Sequence, residues 1–91
     1  MKGKERAALR SQANSIQAIQ QIGHCGVTEE IIRNTDMALD ARELIKISVL
    51  ETCPVGAKEA AETLASATGA EIIQVIGRKL VLYRVNPEKH K

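Results

Sequence analysis

The sequence contains no tryptophan, no phenylalanine and one tyrosine, Tyr83. Modules of the RRM and OB type stack nucleobases on aromatic rings, and this chain has almost nothing to stack them on. Any nucleic-acid contact therefore has to run through backbone and charge. Cysteine is equally scarce: Cys25 and Cys53 lack CxxC spacing, which excludes a disulfide framework and a zinc ribbon, and both thiols are expected to be reduced. No apolar run approaches the roughly 20 residues that a spanning helix needs. The start MKGKERAALR leads into no apolar core or small-residue cleavage site, so the expected setting is the cytoplasm, with no membrane partner. At 91 residues the chain has room for one core, expected over residues 1–85, with 86–91 as a polar basic tail.

Charge is present in both signs and unevenly spread. Lys2, Lys4, Arg6 and Arg10 face only Glu5 in the first ten residues, and Arg78, Lys79, Arg84, Lys89 and Lys91 face only Glu88 at the other end. Between them nine acids outnumber four bases. Two basic ends around an acidic middle point to a polyanion if the fold brings the ends together, and to two solvated termini if it does not.

Periodicity gives the elements. Lys4 to Ser15 lacks Gly and Pro and spaces Leu9, Ala13 and Ile16 as a helix does, with Arg6 and Arg10 on another face. Ala18 to Ile22 reads as a short strand halted by Gly23. Thr28 is a good N-cap for a second helix that runs to about Ala41 or Arg42, with Ile31, Ile32, Thr35, Ala38 and Leu39 as its inward stripe. Glu43 to Leu50 alternates as a strand, Ile45, Ile47 and Val49 on one face and Lys46 and Ser48 on the other. Pro54 suits the first turn of a third helix whose small stripe, Ala57, Ala60, Ala61, Leu64 and Ala65, ends at Gly69.

The last two strands, Glu71 to Ile76 and Lys79 to Val85, flank Gly77-Arg78, a two-residue hairpin loop with glycine where a type II′ turn needs it. An uninterrupted register puts Ile73, Val75, Leu80 and Leu82 on one face and Ile72, Gln74, Val81 and Tyr83 on the other, and sets Arg84 opposite Glu71. Tyr83 is expected to be half-buried. The order α-β-α-β-α-β-β predicts an α/β (α+β) two-layer sandwich, with the second and third helices on one face of a four-stranded mixed sheet. What covers the second face is open, the first helix being one candidate.

Gly23-His24-Cys25-Gly26 sits between a strand and a helix start. Glycines there let the backbone adopt positive φ and approach an anion, although Glu29 and Glu30 already occupy the positive end of the helix. In order and spacing, MKGKERAALRSQANSI, QIGHCGVTEEII, ALDARELIKISVL and AAETLASATGAEIIQVIGRKLVLYR resemble the CRM domain, the chloroplast RNA splicing and ribosome maturation module, and within it the small bacterial single-domain members of the YhbY type. The combination of GKxR, QIGxxG, ELIK and QVIGRKxVLYR is far more specific than its pieces, and covers about Lys2 to Arg84.

That resemblance implies a fold like the C-terminal domain of translation initiation factor three, with sheet order first, second, fourth, third. It implies a protein that binds structured RNA, for bacterial members in large-subunit (pre-50S) ribosome assembly. The expected protein is non-enzymatic and monomeric, with no cofactor, metal site or DNA specificity. The family's GxxG loop falls on Gly23 and Gly26, and the basic surface beside it on the first helix. His24 departs from the pattern, since the family usually carries Lys or Arg after the first glycine.

The candidate RNA contacts are Lys4, Arg6, Arg10, Gly23, His24, Cys25, Gly26, Lys46, Arg78 and Lys79. Arg6 and Arg10 read either as a phosphate clamp or as a solvated helix face, and Lys46 as an RNA contact or a solvent-facing strand lysine. Two rivals stand beside this reading. One is a protein-interaction module using the open sheet face or the acidic middle; the other is a thiol enzyme on Cys25, for which no orienting third residue is present.

Overall fold

Alternation in Leu44–Val49 decides the architecture: Ile45, Ile47 and Val49 are buried, while Leu44, Lys46 and Ser48 turn to the opposite face and stay partly exposed. The computed structural model describes residues 3–85, so the basic tail from Asn86 lies outside the described residues. Its elements are α1 (Gly3–Ala13), β1 (Ala18–Ile22), α2 (Glu29–Arg42), β2 (Leu44–Val49), α3 (Ala57–Thr68), β3 (Glu71–Ile76) and β4 (Lys79–Tyr83). The four strands make one sheet in the order β1-β2-β4-β3, as the resemblance implies. β1 runs parallel to β2, and β4 runs antiparallel to both β2 and β3. None of the described helices is long and apolar enough to cross a membrane.

One face of the sheet carries α2 and α3. Ile22, Ile45, Ile47, Val49, Leu80 and Leu82 pack there against Leu39 of α2 and Ala57, Ala60, Ala61 and Leu64 of α3. The small α3 stripe lets that helix lie close to the strands, and Gly69 ends it at φ 74 with its N–H on the Ala65 carbonyl. Thr28 caps α2 as expected: its Oγ1 accepts from the Ile31 N–H at 3.2 Å. Buried Thr35 donates to the Ile31 carbonyl at 2.7 Å and accepts from Gln20 Nε2 at 2.6 Å, which ties α2 to β1 without leaving a buried polar atom unpaired.

The second face is covered in part by α1. Leu9 and Ala13 pack on Ile73 of β3 and on Leu44, Val81 and Tyr83, which alternate along β2 and β4 with the residues facing α2 and α3. The helix stops at Ala13 rather than Ser15, and its last turn unwinds through N–H bonds from Asn14 to Ser11, Ser15 to Gln12 and Ile16 to Ala13.

Three local expectations fail for identifiable reasons. Pro54 is not in the first turn of α3. Residues 50–53 first form a turn of their own, with the Cys53 N–H on the Leu50 carbonyl at 3.0 Å, and the helix starts only at Ala57 with Gly56 as N-cap. β4 ends at Tyr83 rather than Val85: the Arg84 N–H still reaches the Glu43 carbonyl at 3.0 Å, but the Glu43 N–H turns back to the Leu39 carbonyl at 2.9 Å, so the pair that would extend the ladder stays half made. Most consequential is a β-bulge in β3 between Ile72 and Gln74. Near the hairpin the register is as expected, Ile76 opposite Lys79 and Val75 opposite Leu80, but beyond the bulge Ile72 pairs with Leu82 and Glu71 with Tyr83. The extra residue exchanges two side chains between faces: Ile72 joins the α2/α3 core and Ile73 goes under α1.

The bulge also separates Arg84 from Glu71, correcting the expected pairing. Glu71 meets Arg6 instead, at 3.7 Å. Arg84 Nη1 donates to Asp36 Oδ1 at 2.6 Å and to the Thr68 carbonyl at 2.7 Å, and Nη2 donates to the Asp36 carbonyl at 3.0 Å and to Asp40 Oδ1 at 2.8 Å. One guanidinium thereby joins the end of the sheet to α2 and to the last turn of α3. The hydrogen bond to Asp36 raises its pKa above the usual guanidinium range against the opposing effect of burial. A raised basic pKa gives stability that is complete below the unfolded value and lost only above it, so this contribution stays constant through neutral and mildly alkaline pH. Arg84→Lys keeps the charge but cannot span these acceptors. It is expected to lower unfolding stability by about 2 kcal/mol, read from the urea midpoint at unchanged slope.

Candidate nucleic-acid interface

β1 and β2 leave the sheet side by side, Ile22 paired with Val49 and the Leu50 N–H on the Ile22 carbonyl at 2.9 Å. Each runs into a four-residue turn closed in the same way, Gly26 N–H to the Gly23 carbonyl in one and Cys53 N–H to the Leu50 carbonyl in the other, both at 3.0 Å. The two turns pack together. Gly26 is buried at φ +71, and a Cβ there would lie 3.3 Å from Pro54 Cγ. Gly23 has an ordinary φ, and a Cβ there would meet only Leu50 Cδ1 at 3.8 Å. The left-handed freedom expected of both glycines is thus required at Gly26 alone.

His24 and Cys25 occupy the middle of the turn and are exposed. Their N–H groups have no partner among the described residues, whereas that of Gly26 is used to close the turn.

The Gly77-Arg78 hairpin lies at this same end of the sheet. Gly77 takes φ 56 while Arg78 keeps a negative φ, as a type II′ turn requires, and the Arg78 carbonyl accepts from the Val49 N–H at 2.6 Å. Arg78 pairs with Glu51 at 3.1 Å, both side chains largely in solvent.

Arg6 lies elsewhere. Its Nη1 donates to the Ile72 carbonyl at 2.7 Å, and since a strand rises about 3.3 Å per residue, that anchor is roughly 13 Å from Ile76 and the hairpin. Arg84, bound to Asp36 and Asp40, is at that far end too. Among the described residues the two basic segments therefore meet only in part: Arg78 and Lys79 stand at the turn end of the sheet, Arg6 and Arg84 at the other.

Charge sorts instead by face of the sheet. The layer of α2 and α3 carries six acids (Glu29, Glu30, Asp36, Asp40, Glu59, Glu62) against Arg33, Arg42 and Lys58. On the opposite side α1 brings Lys4, Arg6 and Arg10, and the strands add Lys46 and Lys79, against Glu5 and Glu71. None of Lys4, Arg10, Lys46 or Lys79 has an ion-pair partner among the described residues.

Because α1 covers only Leu44, Ile73, Val81 and Tyr83, the half of this face nearest the hairpin stays open, with Lys46, Ser48, Gln74, Ile76 and Lys79 on it. The sequence pattern alone does not single out Gln74 and Ile76 as contacts. The signal was available, since the register already set Ile76 opposite Lys79 and Gln74 opposite Val81.

Among the described residues no group of three or more His, Cys, Asp or Glu is placed to hold a metal ion. Cys25 and Cys53 are free thiols, the first exposed and the second partly buried.

The two glycines can be told apart experimentally. Gly26→Ala forces a side chain into a left-handed backbone under Pro54 and is expected to cost about 1–3 kcal/mol. Gly23→Ala should leave the denaturation midpoint within about 0.5 kcal/mol of the parent. Equal losses at both positions would refute this asymmetry.

Comparisons with known proteins agree with the geometry. Residues 1–84 match the CRS1 / YhbY (CRM) domain. Probable RNA-binding protein YqeI of Bacillus subtilis is 40% identical over 86 residues, 94% of this chain and 90% of that protein. An RNA-binding protein of Haemophilus influenzae is 29% identical over 85 residues, 93% of this chain and 86% of its own. The solution structure of the hypothetical protein SAV1595 from Staphylococcus aureus superposes with a TM-score of 0.79 at 46% identity, covering 93% of this chain and 88% of that one. With the sheet order, the Gly23–Gly26 turn and the match over nearly its whole length, the chain belongs to the CRS1/YhbY (CRM) domain family.

Proposed function

We propose that this chain is a non-enzymatic, monomeric protein of the cytoplasm that binds structured RNA and acts in assembly of the large ribosomal subunit. The observation that carries the reading is the sorting of charge by sheet face. Lys4, Arg10, Lys46 and Lys79 are unpaired cations among the described residues, on the side of the sheet away from the acidic helices. The names of the Bacillus subtilis and Haemophilus influenzae relatives, both RNA-binding proteins, support it.

In this reading Lys46, Lys79 and Arg10 neutralise phosphates of a folded RNA, with Lys4 extending the surface along α1. Arg78 and the exposed His24-Cys25 pair meet the backbone at the turn end of the sheet, where the unpartnered N–H groups of residues 24 and 25 are donors for a phosphate oxygen. Arg6 serves chiefly to hold α1 on β3. Phosphate contacts fix position without reading sequence, and A-form RNA is recognised largely by the spacing of those phosphates.

Binding to a structured ribosomal RNA fragment is expected to weaken steeply with salt. Arg10→Ala should reduce the log–log slope by about 0.7–0.9, and Lys46→Ala with Lys79→Ala by about twice that. Lys58→Ala, on the acidic side, should leave the slope unchanged. A flat salt response would overturn the reading.

In sedimentation of a cell lysate, the protein is expected to travel with large-subunit precursors at low salt and to leave them at high salt. Salt-resistant retention of a protein after nuclease digestion would favour docking through the acidic helix layer instead.

A further inference from the structure

The open half of the basic face is not smooth. Between the C-terminal end of α1 and the neighbouring strands lies a cleft of about 130 Å³ lined by Asn14, Lys46, Gln74, Ile76, Lys79 and Val81. No acidic side chain is among these residues. Val81 closes the floor and is buried, whereas Ile76 stands at the rim 63% exposed, a large apolar side chain held open beside two lysines.

Asn14 and Gln74 contribute carboxamides. Neither has a side-chain hydrogen bond among the described residues, in contrast to Gln20, whose amide is held by Thr35. Each carboxamide can donate and accept at once.

A bare phosphate would use the lysines and gain nothing from Ile76 or from two amides. An apolar ring with donors and acceptors around its edge uses all of them. The cleft has room for one flat heterocycle and not for a base pair. In paired A-form RNA each ring is covered on both faces by its stacked neighbours and tied along one edge to its partner, so a ring that enters the cleft must come from an unpaired nucleotide.

We propose that this cleft receives a single unpaired nucleobase turned out from a bulge or loop of the bound RNA. The base lies against Ile76 and Val81, the carboxamides of Asn14 and Gln74 hydrogen-bond to its edge, and Lys46 and Lys79 hold the phosphates on either side. This rests on the RNA-binding reading and adds a base contact to what is otherwise backbone recognition. It requires no aromatic platform, since amide groups and a branched aliphatic chain take that part.

The test uses synthetic RNA stem-loops sharing one stem: fully paired, with a one-nucleotide bulge carrying each of the four bases in turn, and with an abasic residue at the bulge. At fixed salt at least one bulged stem is expected to bind about tenfold more tightly than the abasic stem. Asn14→Ala combined with Gln74→Ala should abolish that preference while leaving the salt slope unchanged, with folding checked by circular dichroism. In the parent protein the side-chain amide NMR signals of Asn14 and Gln74 should shift with the preferred bulged stem and not with the paired one. Equal, salt-sensitive binding to all stems, without those shifts, would overturn the cleft while sparing the RNA-binding reading. Binding to none of the stems would overturn both.

Discussion

The pairing of β2 with β4 is the constraint on which the rest depends. β4 comes last in sequence but lies inside the sheet, between β2 and β3, with Leu44–Ser48 opposite Lys79–Tyr83. Alternate residues of these two strands supply both cores: Ile45, Ile47, Leu80 and Leu82 toward α2 and α3, and Leu44, Val81 and Tyr83 toward α1. The same pairing sets Lys46 opposite Val81 and Lys79 opposite Ser48, which places two cations on one uncovered patch. Core and candidate interface are therefore two readings of one register.

Most of the fold could be read from the residues because its signals are local. Strict alternation in ELIKISVL, Thr28 ahead of two glutamates, the alanine stripe ended by Gly69 and glycine in a two-residue loop each act within a few positions. What could not be read is non-local. Nothing in Glu71–Ile76 announces a bulge, because the extra residue is decided by how both sheet faces are covered. Once it is there, Ile72 and Ile73 exchange faces and Arg84 falls to Asp36 and Asp40, partners more than 40 residues away in sequence.

The candidate site was legible in kind and less so in layout. The Gly23–Gly26 turn and the hairpin bases do share one end of the sheet, as the strand pattern implied. The expectation that both basic chain ends gather there did not foresee that Arg6 would be anchored to the Ile72 carbonyl at the opposite end of β3. Charge counted along the sequence suggested two poles, whereas in space the division follows the sheet, because α1 lies on one face and the acid-rich helices on the other.

The interlocked turns after β1 and β2 carry a consequence for how such a protein can diversify. Buried Gly26, wedged against Pro54, fixes the path of the chain, while positions 24 and 25 project from that mount without structural duties. Imidazole, ammonium or guanidinium can stand at position 24 on the same scaffold. The charge presented at this turn can thus change over evolutionary time by single exchanges there, with the architecture left untouched.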